Sequence, residues 1–425
     1  MSIPLDVQCE ILRGGARKGQ ESPAQDSKTQ YANPDVSGIA VLIGFLTTAW
    51  ATWLLVTFYF LMRCVEEKFL NKVDRMFLTK ASFLRPGESV PRLELALRRI
   101  VLMFSDQQVV TGIALLASGY AQLSSGISNY HWQMLVYLAW FSSLTHLSTL
   151  TVLRQYFQDN RKARLWRAVL MLITVLMLGA ALLPTSDTLW LNASEPLLWL
   201  DPNHRNHLVP ILAPALCYFR RLGSRDSHDR FKIRSWTGTS MIISLVVLIS
   251  GYITRMLKLW DHASNNCRYY LREVPSKTVI ATRGAVLKRL NRPAPSFYKI
   301  HWVVAYAAVE TPYIWLKALF DIYESMIAEI IWLASALAWG TRNLLMARSD
   351  AAMSEENTWG FGQMFPVILL VLPILSALET YYGKPGQEIS FTERSIFSYY
   401  VLLLSSHDSF TDAQESQKAV DANSF

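Results

Sequence analysis

The chain has 425 residues, of which 51% are hydrophobic and 17% are charged, and its formal net charge is +8 at pH 7. Soluble domains carry about 25% charged residues, so this composition argues against a soluble protein. The basic excess could suit nucleic acid, but the basic residues flank long apolar segments and do not form one groove. We therefore expect a polytopic protein that lies in the lipid bilayer and binds no nucleic acid.

Hydropathy divides the chain into three regions: a polar N-terminal tail at 1–35, a transmembrane helical domain at 36–405 and a polar C-terminal tail at 406–425. The N-terminal tail lacks the apolar core of a cleavable signal, so the first span is expected to act as the signal anchor. The four cysteines have no metal-type spacing, and no disulfide framework can be argued from them. We expect neither a metal nor a cofactor.

Long apolar runs predict an all-α bundle of about eight membrane spans, with seven as the alternative count. The clear spans are Gly38–Met62, Ile100–Leu123, Trp132–Leu153, Trp166–Leu183, Thr237–Leu259 and Met364–Tyr381. Two weaker spans are His207–Phe219, which is short and contains two prolines, and Glu324–Leu345. Tyr298–Leu319 is apolar but holds charged residues, so we interpret it as an interfacial or re-entrant helix, with a full span as the competing interpretation.

Basic residues predict the orientation of the spans. Nine Lys and Arg residues lie between positions 63 and 99, so this loop is expected to be cytoplasmic and the N-terminal tail lumenal. Arg154–Arg167 is then cytoplasmic, and the next loop is lumenal and contains a glycosylation sequon at Asn192. With eight spans, the basic segment Asp261–His301 falls on the lumenal side, against the positive-inside rule. The expected location is the endoplasmic reticulum or another endomembrane.

Asp106 is an ionisable residue inside the second predicted span. At about 1.5 Å of rise per residue, Asp106 lies about 10 Å beyond Arg99, and His146 lies about 12 Å before Arg154. Because a short turn joins these two antiparallel spans, Asp106 and His146 are expected at similar depth. Ionisable groups inside a membrane usually face a partner, a cavity or a substrate, so both are catalytic candidates. Polar packing between helices is the competing interpretation.

Other residues complete the candidate site. The predicted substrate-binding residues lie on the same two helices and are Gln107, Gln108, Thr111, Trp140 and Ser142. The reserve proton donors are carboxylates in or beside apolar helices, namely Glu310, Glu329 and Glu379. Each has a structural alternative, such as pairing of Glu310 with Lys317 at a membrane interface. Arg255 lies near the end of a span and is expected to extend its charge toward water.

Two segments resemble a family of fungal multi-pass membrane proteins that are often encoded beside enzymes of secondary metabolism: RRIVLMFSDQQVVTGIALLASGYAQL from Arg98 and HWQMLVYLAWFSSLTHLSTLTVLRQYFQDN from His131. Among characterised fungal membrane proteins, the chain is similar in size and span number to the transmembrane terpene cyclases of ascofuranone and ascochlorin type. The resemblance covers chiefly residues 98–160, and no catalytic motif matches position by position. It implies acid-initiated, metal-independent closure of an epoxidised prenyl chain on an aromatic ring.

The sequence therefore predicts an intramembrane terpene cyclase acting on a hydrophobic, prenylated aromatic substrate. In this prediction Asp106 is the acid, and His146 is its orienting partner or the terminal base. A transporter or channel-like protein is one alternative, in which a polar stripe lines the path: Gln107, Thr111, Ser118 and Gln122. A sensor or scaffold without chemistry is the other, in which the polar residues only hold helices together.

Overall fold

The structure is a computed structural model that describes residues 9, 34–80, 90–187, 190, 214–222, 236–260, 269–290, 295–351 and 361–382. Across these ranges the secondary structure is helical and no β-strand occurs, which confirms the predicted all-α class. Most of the predicted N-terminal tail, all of the C-terminal tail and the sequon at Asn192 lie outside the described residues. The predicted domain division therefore stays a prediction.

The helices run along the chain in short and long elements. In chain order they are α1 (Ile39–Leu61), α2 (Lys72–Lys80), α3 (Val90–Gln122), α4 (Asn129–Val152), α5 (Arg154–Asp159), α6 (Arg161–Leu182), α7 (Ala215–Leu222), α8 (Trp236–Leu259), α9 (Val274–Leu290), α10 (Ser296–Glu324), α11 (Met326–Ala351), α12 (Phe361–Leu369) and α13 (Val371–Tyr382). Six of them, α1, α3, α4, α6, α8 and α11, are long and apolar enough to cross a membrane. This number of membrane-length helices indicates a membrane protein.

Most predicted spans correspond to one of these six helices. The weaker span Glu324–Leu345 belongs to α11, whereas Met364–Tyr381 is divided between α12 and α13 and remains a predicted crossing. The described part of His207–Phe219 belongs to α7, whose 8 residues are too few for a bilayer that needs about 20. Within the described ranges six helices are thus long and apolar enough to cross a membrane, and the number of crossings stays a prediction.

Helix α4 is the centre of the bundle. It contacts α1, α3, α6, α8 and α11, and 22 of its 24 residues are buried, so it has no polar face turned to solvent. Two glycines let its neighbours approach closely. A Cβ atom on Gly112 of α3 would lie 2.2 Å from Ser142 Oγ, and one on Gly340 of α11 would lie 2.6 Å from the Trp140 ring. Small residues at these crossings therefore set the spacing of α3 and α11 from α4.

The direction of α8 corrects the predicted topology. Helix α8 packs beside the 3-10 turn Leu183–Ser186 that follows α6, and at its other end the Leu259 carbonyl accepts a hydrogen bond from Arg164 in the first turn of α6. Helix α8 is therefore antiparallel to α6, and the chain leaves and re-enters the bundle at the same end. As a consequence, Asp261–His301 emerges at the end where α6 begins, which is the predicted cytoplasmic side. The conflict with the positive-inside rule disappears.

The two ends of the bundle differ in chemistry. We call the end where α6 and α11 begin the basic end. At the opposite end, Cys9 and Cys217 form a disulfide with a Cα–Cα distance of 5.2 Å, and the Ala215 amide donates to the Ile127 carbonyl at 2.8 Å. Disulfides form in oxidising compartments such as the lumen of the endoplasmic reticulum. The disulfide thus agrees with the predicted lumenal location of this end, although the cysteine spacing had given no reason to pair these residues.

Candidate functional site

Helix α4 carries a run of hydroxyl side chains through the middle of the bundle. Thr145, Ser148 and Thr151 each donate to the backbone carbonyl one turn earlier, at 2.8 to 3.1 Å. Hydroxyls bonded to their own helix in this way have little capacity left for a ligand. Ser142 instead donates to the Gln108 carbonyl of α3, so it joins the two helices.

The contact between α3 and α4 holds two buried polar atoms that lack hydrogen bonds. His146 is fully buried, and its Nδ1 lies 2.7 Å from Ser105 Oγ of α3. The ring also interacts with the Arg167 backbone of α6, but its Nε2 makes no hydrogen bond of ordinary geometry to the described residues. Gln108 is 3% exposed, and its Oε1 likewise has no partner among them. Leaving a buried polar atom unpaired costs about 1–3 kcal/mol, so such an atom marks a place that suits a polar ligand group. We call Ser105, Gln108, Ser142 and His146 the α3–α4 centre.

Asp106 lies next to this centre but is paired with another helix. It projects about 100° around α3 from Ser105, and Arg167 of α6 donates Nε to Oδ1 at 2.7 Å and Nη2 to Oδ2 at 2.5 Å. The Arg167 guanidinium also lies 4.3 Å from the centroid of the Trp166 ring. A two-point pair of this kind is the strong form of a carboxylate–guanidinium contact, so it joins α3 to α6. The bond of Ser105 to His146 agrees with the similar depth predicted for Asp106 and His146.

A second set of buried charges lies at the basic end. It consists of Arg154, Arg255, Lys258 and Glu329, which we call the basic-end cluster. Glu329 Oε1 accepts hydrogen bonds from both Arg154 and Lys258. Arg255 Nε donates to the Leu147 carbonyl at 3.1 Å, and its guanidinium lies 4.8 Å from the centroid of the Trp332 ring. Arg255 is 3% exposed, so the prediction that its charge extends toward water is wrong.

The position of Glu329 depends on the cap of α11. Asp74 of α2 is fully buried, and its carboxylate accepts hydrogen bonds from Ser325 Oγ at 2.7 Å and from the Met326 and Ile327 amides at 3.1 Å. A carboxylate that binds the first free amides of a helix fixes where that helix begins. Because Glu329 lies in the first turn of α11, the cap also sets the place where Glu329 meets its cations.

The other two predicted acids lie away from these sites. Glu379 is on the exposed side of α13. Glu310 is on α10, where it forms a hydrogen bond with Tyr306, and α10 packs on α9, on α2 and on α11. The structure therefore does not bring the five predicted catalytic residues together in one place.

The predicted substrate-binding residues divide between packing and the α3–α4 centre. The Trp140 indole donates to the Ala336 carbonyl at 3.2 Å, so its ring packs α4 against α11. Gln107 is buried, and its carbonyl accepts a hydrogen bond from Thr111 Oγ1 at 2.9 Å, whereas Gln108 and Ser142 belong to the centre. The far end of the predicted polar stripe is different, because the Gln122 amide donates to Ser118 Oγ on an exposed face of α3.

Sequence analysis missed Arg167 as the partner of Asp106. The predicted loop Arg154–Arg167 and the predicted span Trp166–Leu183 together put Arg167 at the cytoplasmic start of a span, but α6 begins at Arg161. Arg167 is therefore six residues, about 9 Å, inside the helix, which is the depth expected for Asp106. With the start of α6 known, the same calculation of depth would have predicted that Arg167 lies level with Asp106. In the part of the chain that the structure describes, no group of three or more His, Cys, Asp or Glu residues could hold a metal ion.

Six helices of this all-α fold are long and apolar enough to cross a membrane, which indicates a membrane protein. No protein-family model matches the chain, and no solved structure matches it. The chain is 33% identical over 119 residues to Elsinochromes biosynthesis cluster protein HP3 of Elsinoe fawcettii, which covers 28% of this chain and 46% of that protein. It is 28% identical over 148 residues to the HP2 protein of the same cluster and organism, which covers 34% of this chain and 37% of that protein. The chain thus spans less than half the length of the curated relatives it matches.

Proposed function

We propose that this chain is an integral membrane protein of fungal secondary metabolism. Both relatives carry names from the elsinochromes biosynthesis cluster, and the resemblance within residues 98–160 points to the same metabolic setting. Because less than half of each relative is matched, the relatives support the setting and not a reaction. An endomembrane is the proposed location, since the disulfide between Cys9 and Cys217 needs an oxidising compartment on one side.

The proposed reaction is closure of an epoxidised prenyl chain attached to an aromatic ring. The observation that carries it is the pair of unbonded polar atoms in the α3–α4 centre, His146 Nε2 and Gln108 Oε1. These atoms lie between apolar helices, where a polar group is costly unless something pairs with it. A long apolar substrate with an oxygen at its reacting end matches both properties of this place.

His146 is the proposed proton carrier. His146 starts as the imidazolium and becomes the neutral ring when a proton passes from Nε2 to the epoxide oxygen. The C–O bond breaks, and the oxygen becomes a hydroxyl group while the adjoining carbon becomes a cation. The π electrons of the chain form the new ring bond, and the last cation loses a proton to Nε2, so the product is an isomer of the substrate. Ser105 holds Nδ1 and orients the ring. Asp106 is a positioning residue in this proposal, because Arg167 occupies both of its oxygens.

The test uses microsomes that contain the full chain and are supplied with an epoxyfarnesyl phenol. The cyclised product has the mass of the substrate and a different chromatographic retention. His146→Gln is expected to lower its formation about 100-fold or more, the usual contribution of general acid–base catalysis. His131→Gln is the matched control, since His131 is also buried on α4 with Nδ1 at 2.7 Å from a serine, Ser128, at the opposite end of the bundle. Absence of product from the wild-type chain would overturn the proposed reaction.

Transport of an anionic metabolite is the second candidate function, and the basic-end cluster favours it. Three cations there face one carboxylate, and Arg255 Nη2 and Glu329 Oε2 have no partner among the described residues. Buried charges in membrane proteins often mark the path of a charged substrate. Uptake of labelled benzoate into proteoliposomes, lost in Arg255→Gln, would support transport. A chain that neither cyclises the phenol nor moves benzoate would instead fit the scaffold alternative.

A further inference from the structure

The hairpin of α9 and α10 extends from the basic end with many apolar side chains uncovered. Helix α10 packs along α9, and its other contacts include α2 and the neighbouring α11. Seven apolar side chains of α10 are between 52% and 79% exposed: Phe297, Ile300, Val304, Ile314, Trp315, Leu319 and Ile322. So much exposed apolar surface on one helix needs a covering phase or partner.

These apolar side chains occupy one side of α10. At about 100° of turn per residue, the seven fall within a sector of about 140°. Three charged residues, Glu310, Lys317 and Glu324, follow one another at intervals of seven and lie roughly 130° from the middle of that sector. An apolar face and a separate charged face on a helix of 29 residues are typical of a helix that lies in the plane of a membrane interface.

Helix α9 adds positive charge to the same hairpin. It buries Val279 and Val286 against α10, while Ile280 and Leu287 are 66% and 50% exposed. The stretch 262–301 contains eight Lys and Arg residues and one acidic residue, Glu273, so its formal charge is eight minus one, or +7. A cluster of basic residues on a partly apolar surface beside the cytoplasmic leaflet attracts anionic lipid headgroups.

We propose that the α9–α10 hairpin lies on the cytoplasmic leaflet and binds anionic phospholipids, with the apolar face of α10 between the headgroups and the upper acyl chains. The Asp321 carbonyl of α10 accepts a hydrogen bond from Asn71 beside the start of α11, where the chain enters the bundle. This bond holds α10 at the end of the bundle, which is the level of the proposed cytoplasmic leaflet. A hairpin that crossed the membrane would carry Lys288 and Arg289 to the far side, against the positive-inside rule. Pairing with a second copy would set two hairpins against each other, each with a formal charge of seven minus three, or +4, over residues 274–324.

The test places a fluorescent probe on each face of α10 in the full chain, with Cys64 and Cys267 replaced by serine. Val304→Cys reports the apolar face, and Lys317→Cys is the matched position on the charged face. Each labelled protein is reconstituted as one copy per nanodisc, in phosphatidylcholine alone or with phosphatidylserine, and doxyl-labelled lipids serve as quenchers. We expect strong quenching at position 304 and little at 317, with the signal at 304 rising with phosphatidylserine and falling with added salt.

Neutralising the basic face separates headgroup binding from simple insertion of apolar side chains. Lys277→Gln combined with Lys288→Gln is expected to lower the equilibrium constant between the membrane-bound and the free hairpin roughly fivefold per removed cation. Arg161→Gln with Lys162→Gln removes the same charge from exposed residues at the start of α6 and is expected to leave it unchanged.

Three results overturn the proposal. Equal quenching at positions 304 and 317 would mean that α10 does not lie with its apolar face in the membrane. Equal signals with and without phosphatidylserine would remove the selection for anionic lipid. Cross-linking of two copies through Val304→Cys in liposomes, with no quenching in single-copy nanodiscs, would assign the apolar face to a second chain. Monodisperse elution of each variant shows that the chain is folded.

Discussion

Replacement of Glu329 by glutamine tests how the basic-end cluster is stabilised. In the native cluster one carboxylate faces three cations, and two of them, Arg154 and Lys258, bond to it directly. The glutamine variant leaves three buried cations without a counter-charge, and removal of one partner from a buried ion pair costs about 3–5 kcal/mol. Lys258→Met removes one cation and keeps the Arg154–Glu329 pair. We therefore expect it to lose less than half as much free energy of unfolding as Glu329→Gln.

The assay is thermal unfolding of the detergent-solubilised chain, followed by tryptophan fluorescence. A loss of 3–5 kcal/mol corresponds to a fall in Tm on the order of 10 °C for a domain of ordinary size. Glu379→Gln is the matched control, because Glu379 is exposed on α13 and its replacement should leave Tm unchanged. The reasoning fails if Glu329→Gln unfolds at the wild-type temperature, or if Lys258→Met is at least as damaging.

Three further predictions concern other parts of the chain. Asp106→Asn is expected to lower the free energy of unfolding, and adding Arg167→Met should restore more than half of that loss, because the ion pair is then removed as a unit. A double-mutant cycle of unfolding free energies measures this coupling, and additive losses would contradict it. Gly112→Leu should lower the free energy of unfolding by about 1–3 kcal/mol, because the larger side chain overpacks against α4. Gly284→Ala has no atom within 4 Å of the added Cβ, so it should be neutral or stabilising by up to about 1 kcal/mol. Equal effects of the two substitutions on Tm would refute this. Burial raises the pKa of the Cys64 thiol to about 11, so less thiolate is present at neutral pH and alkylation should speed up about tenfold per pH unit until about that pH; a rate that levels off near pH 9 would be inconsistent with this environment.

The fold class could be predicted from hydropathy because a membrane-spanning helix must be long and apolar. Of the predicted span His207–Phe219, the structure describes only residues 214–219, most of which belong to the short helix α7, so this crossing stays a prediction. The basic charge of Asp261–His301 already favoured a cytoplasmic location for this segment. Its conflict with the positive-inside rule favoured the alternative of seven crossings, and the direction of α8 agrees with that alternative.

For the candidate site, the sequence could predict only the depth of its residues along the helices. The rise along two helices joined by a short turn was enough to bring Asp106 and His146 to the same level. It could not give the rotation of each helix, which directs Asp106 to Arg167 and leaves His146 to Ser105. Contacts between distant segments are not encoded in periodicity, so pairs such as Arg154 with Glu329, 175 residues apart, could not be found from one sequence.

Photoaffinity labelling tests the central claim most directly, which is that the α3–α4 centre receives the polar end of a hydrophobic metabolite. A diazirine placed beside the epoxide of a farnesyl phenol is irradiated in microsomes, and the labelled peptides are mapped by mass spectrometry. The account predicts adducts on peptides that contain Ser105–Thr111 or Ser142–Thr149, suppressed by unlabelled substrate and reduced in His146→Gln but not in His131→Gln. Adducts confined to the exposed faces of α6 and α8, unaffected by competitor, would contradict it.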